Sequence, residues 1–388
     1  METDRNMRER RASLPIENTR PDRLDTLTGL RFVAALLVFL YHSFREQHLV
    51  TGGTGSWLAS MVDRGGSYGV GFFFVLSGYV LTWSFRPGTP SGLFLRRRLG
   101  KIFPNHLVTL IAALALAATG SAALTTTDWL PSLGLLQSWW ADPVVTSAGN
   151  PVSWSLSCEL FFYLCFPLLL PLINRIPPRL LWTATAVVAG LCAVLALAAR
   201  YLVTDQPPLP YPGFESMSFD QVWVVYYFPP SRLLEFVLGI LLARLVLTGR
   251  WVRIGMLPAA ALALVGYAVS SESAYLLGVG GLATLWVAPL IAEAATADRL
   301  GSPSALRGRV WRRLGELSFA FYMVHYLVLT ELRRALGEQW TAPVPVELLV
   351  ALLALAVSLA LAWVLYEAVE RPVTARVGRR LRPAGALT

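Results

Sequence analysis

Arg31 and His42 stand inside LTGLRFVAALLVFLYHSF, an otherwise apolar run, and both could do chemistry. They are eleven residues apart. At about 100° per residue this spacing falls within ~20° of three full turns, so both side chains leave one helix face. Along the axis they are separated by ~16 Å. Ionisable groups at membrane depth are costly and mostly face a bundle interior or a watered cavity, which marks them as site candidates. A cation and a titratable imidazole on one face are the seed of an active site.

Other segments repeat the pattern. PVSWSLSCELFFYL buries Glu159, expected near the level of His42. A carboxylate that orients an imidazole and stabilises its protonated form makes a general-base unit, so Glu159, at the same expected depth, is a candidate partner for His42 if their helices meet laterally. In YYFPPSRLLEFVLG, Arg232 and Glu235 are three apart and can pair, just after a helix-breaking Pro229-Pro230. His325 falls mid-way along LSFAFYMVHYLVL, with Tyr322 one turn earlier. Any one of these reads as a polar residue holding helices together. Arg31, His42, Glu159, Arg232 and His325 together would be strongly destabilising without a compensating role.

FRPGTPSGLFLRRRLGKIFP sets Arg96, Arg97, Arg98 and Lys101 at the mouth of an apolar span. Such a cluster anchors a helix at the headgroups, or holds phosphate through arginine forks. Ser77 lies beside Gly78, with no base near in sequence, and reads as packing. Cys158, Cys165 and Cys192 all fall in spans and read as small apolar residues. No metal-ligand set is read.

The elements that position these residues follow from composition. The chain has 388 residues, 55% hydrophobic and 15% charged, and a mean hydropathy of +0.54. That is the balance of an all-α integral membrane protein. Ten spans are expected, at 27–44, 66–85, 102–122, 152–173, 179–200, 223–247, 253–270, 274–294, 314–335 and 347–369. Most approach the ~20 residues that cross a bilayer core. A shorter stretch near 129–140, with Pro131 and Gly134, reads as re-entrant or interfacial. With the amino terminus inside, almost all Lys and Arg outside the spans fall on the cytoplasmic face, and only Arg45 and Arg64 fall outside. This positive-inside bias places both termini in the cytoplasm and explains the net charge of +9 without nucleic acid. Segment 1–26 reads as a basic cytoplasmic N-terminal segment, 27–369 as one membrane domain and 370–388 as a basic cytoplasmic tail. No secretory signal peptide is read. The scarcity of Lys beside Arg suggests a GC-rich bacterium.

These segments, in order, resemble the acyltransferase 3 family of integral membrane O-acyltransferases. The Arg31-to-His42 spacing, FFFVLSGY, RRRLGKIFP, WSLSCE, RLLEFVLG, LSFAFYMVH and YEAVERP carry the resemblance. Lys101 stands where arginine is commoner in the family, and Cys158 where an aliphatic residue is usual. The resemblance implies a cell-membrane enzyme that moves an acyl group from acyl-CoA, acetyl-CoA among the candidates, to a hydroxyl. It implies His42 and Glu159 as catalytic residues. Arg31, Arg232, His325 and Tyr322 become substrate or oxyanion contacts, and Arg97, Arg98 and Lys101 hold the CoA phosphates. Direct transfer and an acyl-histidine intermediate both remain open. Family members act on glycans or on secondary metabolites such as macrolides, and the extracytoplasmic hydrolase-like domain some carry is expected to be absent. The stand-alone form resembles the antibiotic-modifying members. No bound cofactor is expected, and a homo-oligomer is compatible with the reading. A multi-pass transporter is the alternative, since midplane charges and a broken helix suit solute binding. Against it, no internal repeat is visible.

Overall fold

A computed structural model describes residues 23–119, 125–209, 217–337 and 339–379. Most of the expected N-terminal segment and the last nine residues of the expected tail lie outside the described residues. Among the described residues the fold is all-helical, with one isolated bridge between Pro208 and Ser218. Ten principal helices are α1 (Asp25–Tyr41), α2 (Gly65–Ser84), α3 (Ser91–Ala118), α4 (Trp154–Asn174), α5 (Leu181–Leu202), α6 (Pro229–Leu247), α7 (Met256–Glu272), α8 (Ala288–Arg299), α9 (Arg309–Leu336) and α10 (Val344–Leu365).

Among the described residues, six helical stretches are long and apolar enough to cross a membrane: Asp25–Glu46, Gly52–Ser84, Ser91–Ala118, Pro151–Asn174, Pro178–Leu202 and Val344–Val377. The molecule is a multi-pass membrane protein. The other four expected spans fall short for visible reasons. α6 carries Arg232, Glu235 and Arg244, α9 is charged towards both ends, and α7 has 17 residues. The expected span 274–294 is not one helix. It is broken into Tyr275–Val279, Gly281–Thr284 and α8, with Gly278, Gly280 and Gly281 clustered at the first break.

Three further boundaries differ from expectation. The basic run Arg96–Lys101 belongs to α3 itself rather than to a preceding loop. The chain beyond α10 continues as a π turn, Tyr366–Glu370, and a helix, Arg371–Arg379. The stretch near 129–140 is a short helix, Thr126–Leu133, and a 3₁₀ turn, Gln137–Trp139, joined through Leu135 at a φ of 57°.

α2 and α6 form the centre of the bundle, and most residues of both are buried. Their backbones approach through glycine. A Cβ on Gly78 would run into the carbonyl of Phe236, and one on Gly239 into the carbonyl of Val75. Close backbone approach through small residues is how membrane helices gain packing when water offers no hydrophobic drive. Phe74, Phe162 and Phe236 fill the space beside this crossing, with ring centroids 5.1 and 5.0 Å apart along the chain of contacts. The position of α1 is fixed at its start. Asp298, on α8, accepts from Thr26 N at 2.9 Å and Thr26 Oγ1 at 2.7 Å, and also pairs with Arg307 at 2.7 Å. A carboxylate supplied from another helix thus serves the open N–H groups of α1.

Candidate active site

α1 keeps regular geometry as far as Tyr41, and then widens into the π turn His42–Glu46. Isolated π turns recur at functional sites because they re-aim the side chains they carry. Here the turn sets His42 against α9. His42 Nδ1 and His325 Nε2 are 2.8 Å apart, with the rings roughly parallel. His325 is fully buried, and its Nδ1 faces the carbonyls of Tyr322 at 2.8 Å and Phe321 at 3.2 Å.

Those contacts fix the protons. A nitrogen facing carbonyls must donate, so neutral His325 carries its proton on Nδ1 and presents a lone pair at Nε2. His42 Nδ1 must then donate to it, which leaves the lone pair of His42 on Nε2. The dyad delivers one base nitrogen, and its direction is set by backbone. Glu46 Oε2 lies 3.9 Å from that nitrogen. The gap is too long for a direct hydrogen bond. Once His42 gains a proton, the carboxylate of Glu46 stabilises it.

Glu159 is placed elsewhere. Tyr163 Oη donates to its Oε2 at 2.5 Å, and Arg31, Lys101 and Arg98 stand within electrostatic reach. With Ser77, Tyr322 and Ser155 these groups line a cavity of about 150 Å³ between α1, α2, α3, α4 and α9. His42 is not among its lining residues. The carboxylate beside His42 is therefore Glu46, while Glu159 balances the cations of the cavity.

The basic cluster divides. Arg98 and Lys101 face the cavity, whereas Arg97 is exposed away from it. The Arg98 guanidinium lies over the Phe94 ring, and its buried Nε has no hydrogen-bond partner among the described residues. Tyr322 bridges the two regions. Its ring lines the cavity, its hydroxyl bonds to Ser155 Oγ at 3.0 Å and Val152 O at 3.1 Å, and its carbonyl holds His325.

Arg232 is 1% exposed and pairs with Glu235 at 3.0 Å. Its guanidinium is held between the Phe74 and Tyr226 rings and donates to Val279 O, while Thr284 Oγ1 donates to Glu235 Oε1. This pair ties α6 to the broken segment before α8, where the polar groups of interrupted backbone need partners. Arg232 reaches the site only through the rings it supports.

Sequence reasoning brought out His42, His325, Arg31, Arg98, Lys101 and Glu159 but missed Glu46 and Tyr163. Both were legible as partners four residues on from His42 and Glu159. Glu46 lies beyond the apolar run that ends at residue 44, and the π turn carries the helix on to it.

The chain matches the acyltransferase domain family over residues 24–367. It is 38% identical to the acyltransferase MdmB of Streptomyces mycarofaciens over 92% of this chain and 93% of that protein. Identity to nodulation protein 10 of Rhizobium leguminosarum bv. viciae is 30% over 46% of this chain and 52% of that protein. To the O-acetyltransferase OatA of Staphylococcus aureus it is 26% over 58% of this chain and 35% of that protein. No solved structure matches. A match over nearly the whole chain to a family of acyltransferases, and to a relative covered over most of both chains, agrees with a bundle that buries paired histidines: the chain belongs to the acyltransferase 3 family.

Proposed function

We propose that this acyltransferase moves an acyl group from acyl-CoA to a hydroxyl of a secondary metabolite or glycan, with His42 Nε2 as the base. The observation that supports this most is the His42–His325 hydrogen bond, because it leaves one oriented lone pair. The acceptor O–H gives its proton to Nε2 as its oxygen attacks the thioester carbonyl. The C–S bond then breaks, and the departing CoA thiolate takes the proton back from His42. His325 acts through His42 as a positioning residue, and Glu46 stabilises the transient imidazolium.

The donor would lie along α1. Arg31, Arg98 and Lys101 supply positive charge for the CoA phosphates, and the unpartnered Nε of Arg98 suits an anion. About three helix turns, ~16 Å, separate Arg31 from His42, so the donor needs an extended arm between its anionic end and its reactive carbon. Acyl-CoA has that shape. The charge bias of the sequence supports entry from the cytoplasm at the cell membrane, with residues 27–369 working as one membrane unit.

Full-length protein in lipid nanodiscs, given labelled acetyl-CoA or longer acyl-CoAs with a panel of hydroxylated acceptors, tests the reading. Acceptor-dependent release of CoA with label appearing as an ester is expected. Uptake of an acceptor into sealed vesicles without ester formation would contradict it.

A further inference from the structure

Asn150 is buried where the chain turns into α4. Gly149, at a φ of 75°, allows the turn, and Pro151 opens a 3₁₀ turn, Pro151–Ser153, that runs directly into α4. This junction grips α9 at two adjacent residues. Asn150 Nδ2 donates to the carbonyl of Met323 at 2.8 Å. The Tyr322 hydroxyl bonds to Val152 O at 3.1 Å and to Ser155 Oγ at 3.0 Å. On the same turn of α9, the carbonyls of Phe321 and Tyr322 hold the proton of His325. The junction is itself tied to the turn Gln137–Trp139. Gln137 Nε2 donates to Ser153 Oγ at 3.1 Å, and Ser138 Oγ to Trp154 O at 3.0 Å.

As a source of stability the Asn150 bond is weak. Within a regular helix the Met323 carbonyl already accepts from Leu327, so the amide adds only a second bond to it. The Asn150 carbonyl oxygen is buried with no hydrogen-bond partner among the described residues, which costs stability. Leucine has the same branched shape and would leave no polar atom unsatisfied. What leucine lacks is direction. Apolar packing, such as that of Phe321 on the rings of Phe32 and Phe39, tolerates a helix rolling slightly about its axis. Hydrogen bonds weaken steeply when bent. Side-chain atoms lie ~6 Å from a helix axis, so a roll of ~10° would carry His325 Nε2 by about 1 Å. That is enough to stretch or bend its 2.8 Å bond to His42. Displacements of this size can cost about 10²-fold in rate.

We propose that Asn150 is a positioning residue for the reaction: together with the Tyr322 hydroxyl it locks the roll of α9 and so aims His325 Nε2 at His42. Its catalytic value rests on His42 being the base. Asn150 acts through His325 and touches no reacting atom.

Two measurements on full-length protein in nanodiscs test this. The first needs no substrate. With isotope-labelled histidine, magnetic resonance reads the nitrogen–nitrogen correlation across the His42–His325 bond, and His325→Leu assigns it among the four histidines of the chain. Asn150→Leu should lose or weaken that correlation while the protein stays inserted. Should the leucine variant fail to insert, Asn150→Ala removes the amide without adding bulk and carries the same comparison. An unchanged correlation would overturn the proposal. The second measurement is kinetic, with acetyl-CoA and the acceptor that the hydroxyl panel identifies. In Asn150→Leu, kcat should fall about tenfold, with the KM values of donor and acceptor held. The loss should not exceed that of His325→Leu, and adding Asn150→Leu to His325→Leu should cost little more, since the two act as a unit. Equal losses with and without His325 would show a merely structural role and overturn the proposal. Transfer by His42→Ala at the parental rate would instead sink the base assignment, and the resonance measurement would still read whether Asn150 aims His325.

Discussion

His42 presents its lone pair on Nε2 because two backbone carbonyls hold the proton of His325 on the far nitrogen. Removing that support should slow the reaction without weakening donor binding. His325→Leu leaves His42 Nδ1 without its acceptor, so kcat should fall roughly tenfold to a hundredfold while the acyl-CoA KM holds. His325→Gln, whose amide oxygen can accept from His42, should recover part of the loss. A variant lacking both histidines should be no slower than one lacking His42 alone, because residues that act as a unit are not additive. Steady-state kinetics on inserted protein read all of these outcomes. At this scale the sequence made the residues legible but not their pairing. His42 and Glu159 share an expected depth, yet lateral neighbours in a bundle depend on which faces meet. The spacing rule that identified Arg31 also pointed to Glu46, had the helix been followed one turn further.

α3 shows why helix geometry matters more than the count of charges. Arg97 and Arg98 are adjacent in sequence, but one step of about 100° turns them to different sides, and only Arg98 faces the cavity with Lys101. On the proposed reading the two separate anchoring from donor binding. Arg98→Gln should raise the acyl-CoA KM about tenfold or more, the value of a lost charge-assisted hydrogen bond of ~1.5–3 kcal/mol. Arg97→Gln should change it little, and the acceptor KM should move little in either variant. Equal effects of the two would return the cluster to its topological role. Elements were legible where apolar runs were long and unbroken. They were less so at α6 and in the broken stretch before α8, where Arg232–Glu235 and Thr284 form a buried tie. That tie lets an interrupted backbone stand where hydropathy alone reads a continuous span.

The whole molecule is a bundle with cations gathered towards the start of α1 and α3, and His42 about three turns further along α1. Charge distribution, legible from sequence, is what orients such a bundle; the packing that forms the cavity is not, since it rests on contacts between residues far apart in the chain. Single cysteines at Ser304 and Thr126, labelled in whole cells with an impermeant reagent, should react at Thr126 and stay protected at Ser304. The reverse pattern would invert the topology and the donor's side of entry. The central claim is that one histidine takes the acceptor's proton. The direct measurement is the rate of acyl transfer from labelled acyl-CoA by His42→Ala, compared with the parent at equal amounts of correctly inserted protein. Loss of a general base predicts a fall of about 10²–10⁴-fold, with donor binding retained. Transfer by His42→Ala at near the parental rate would contradict the account.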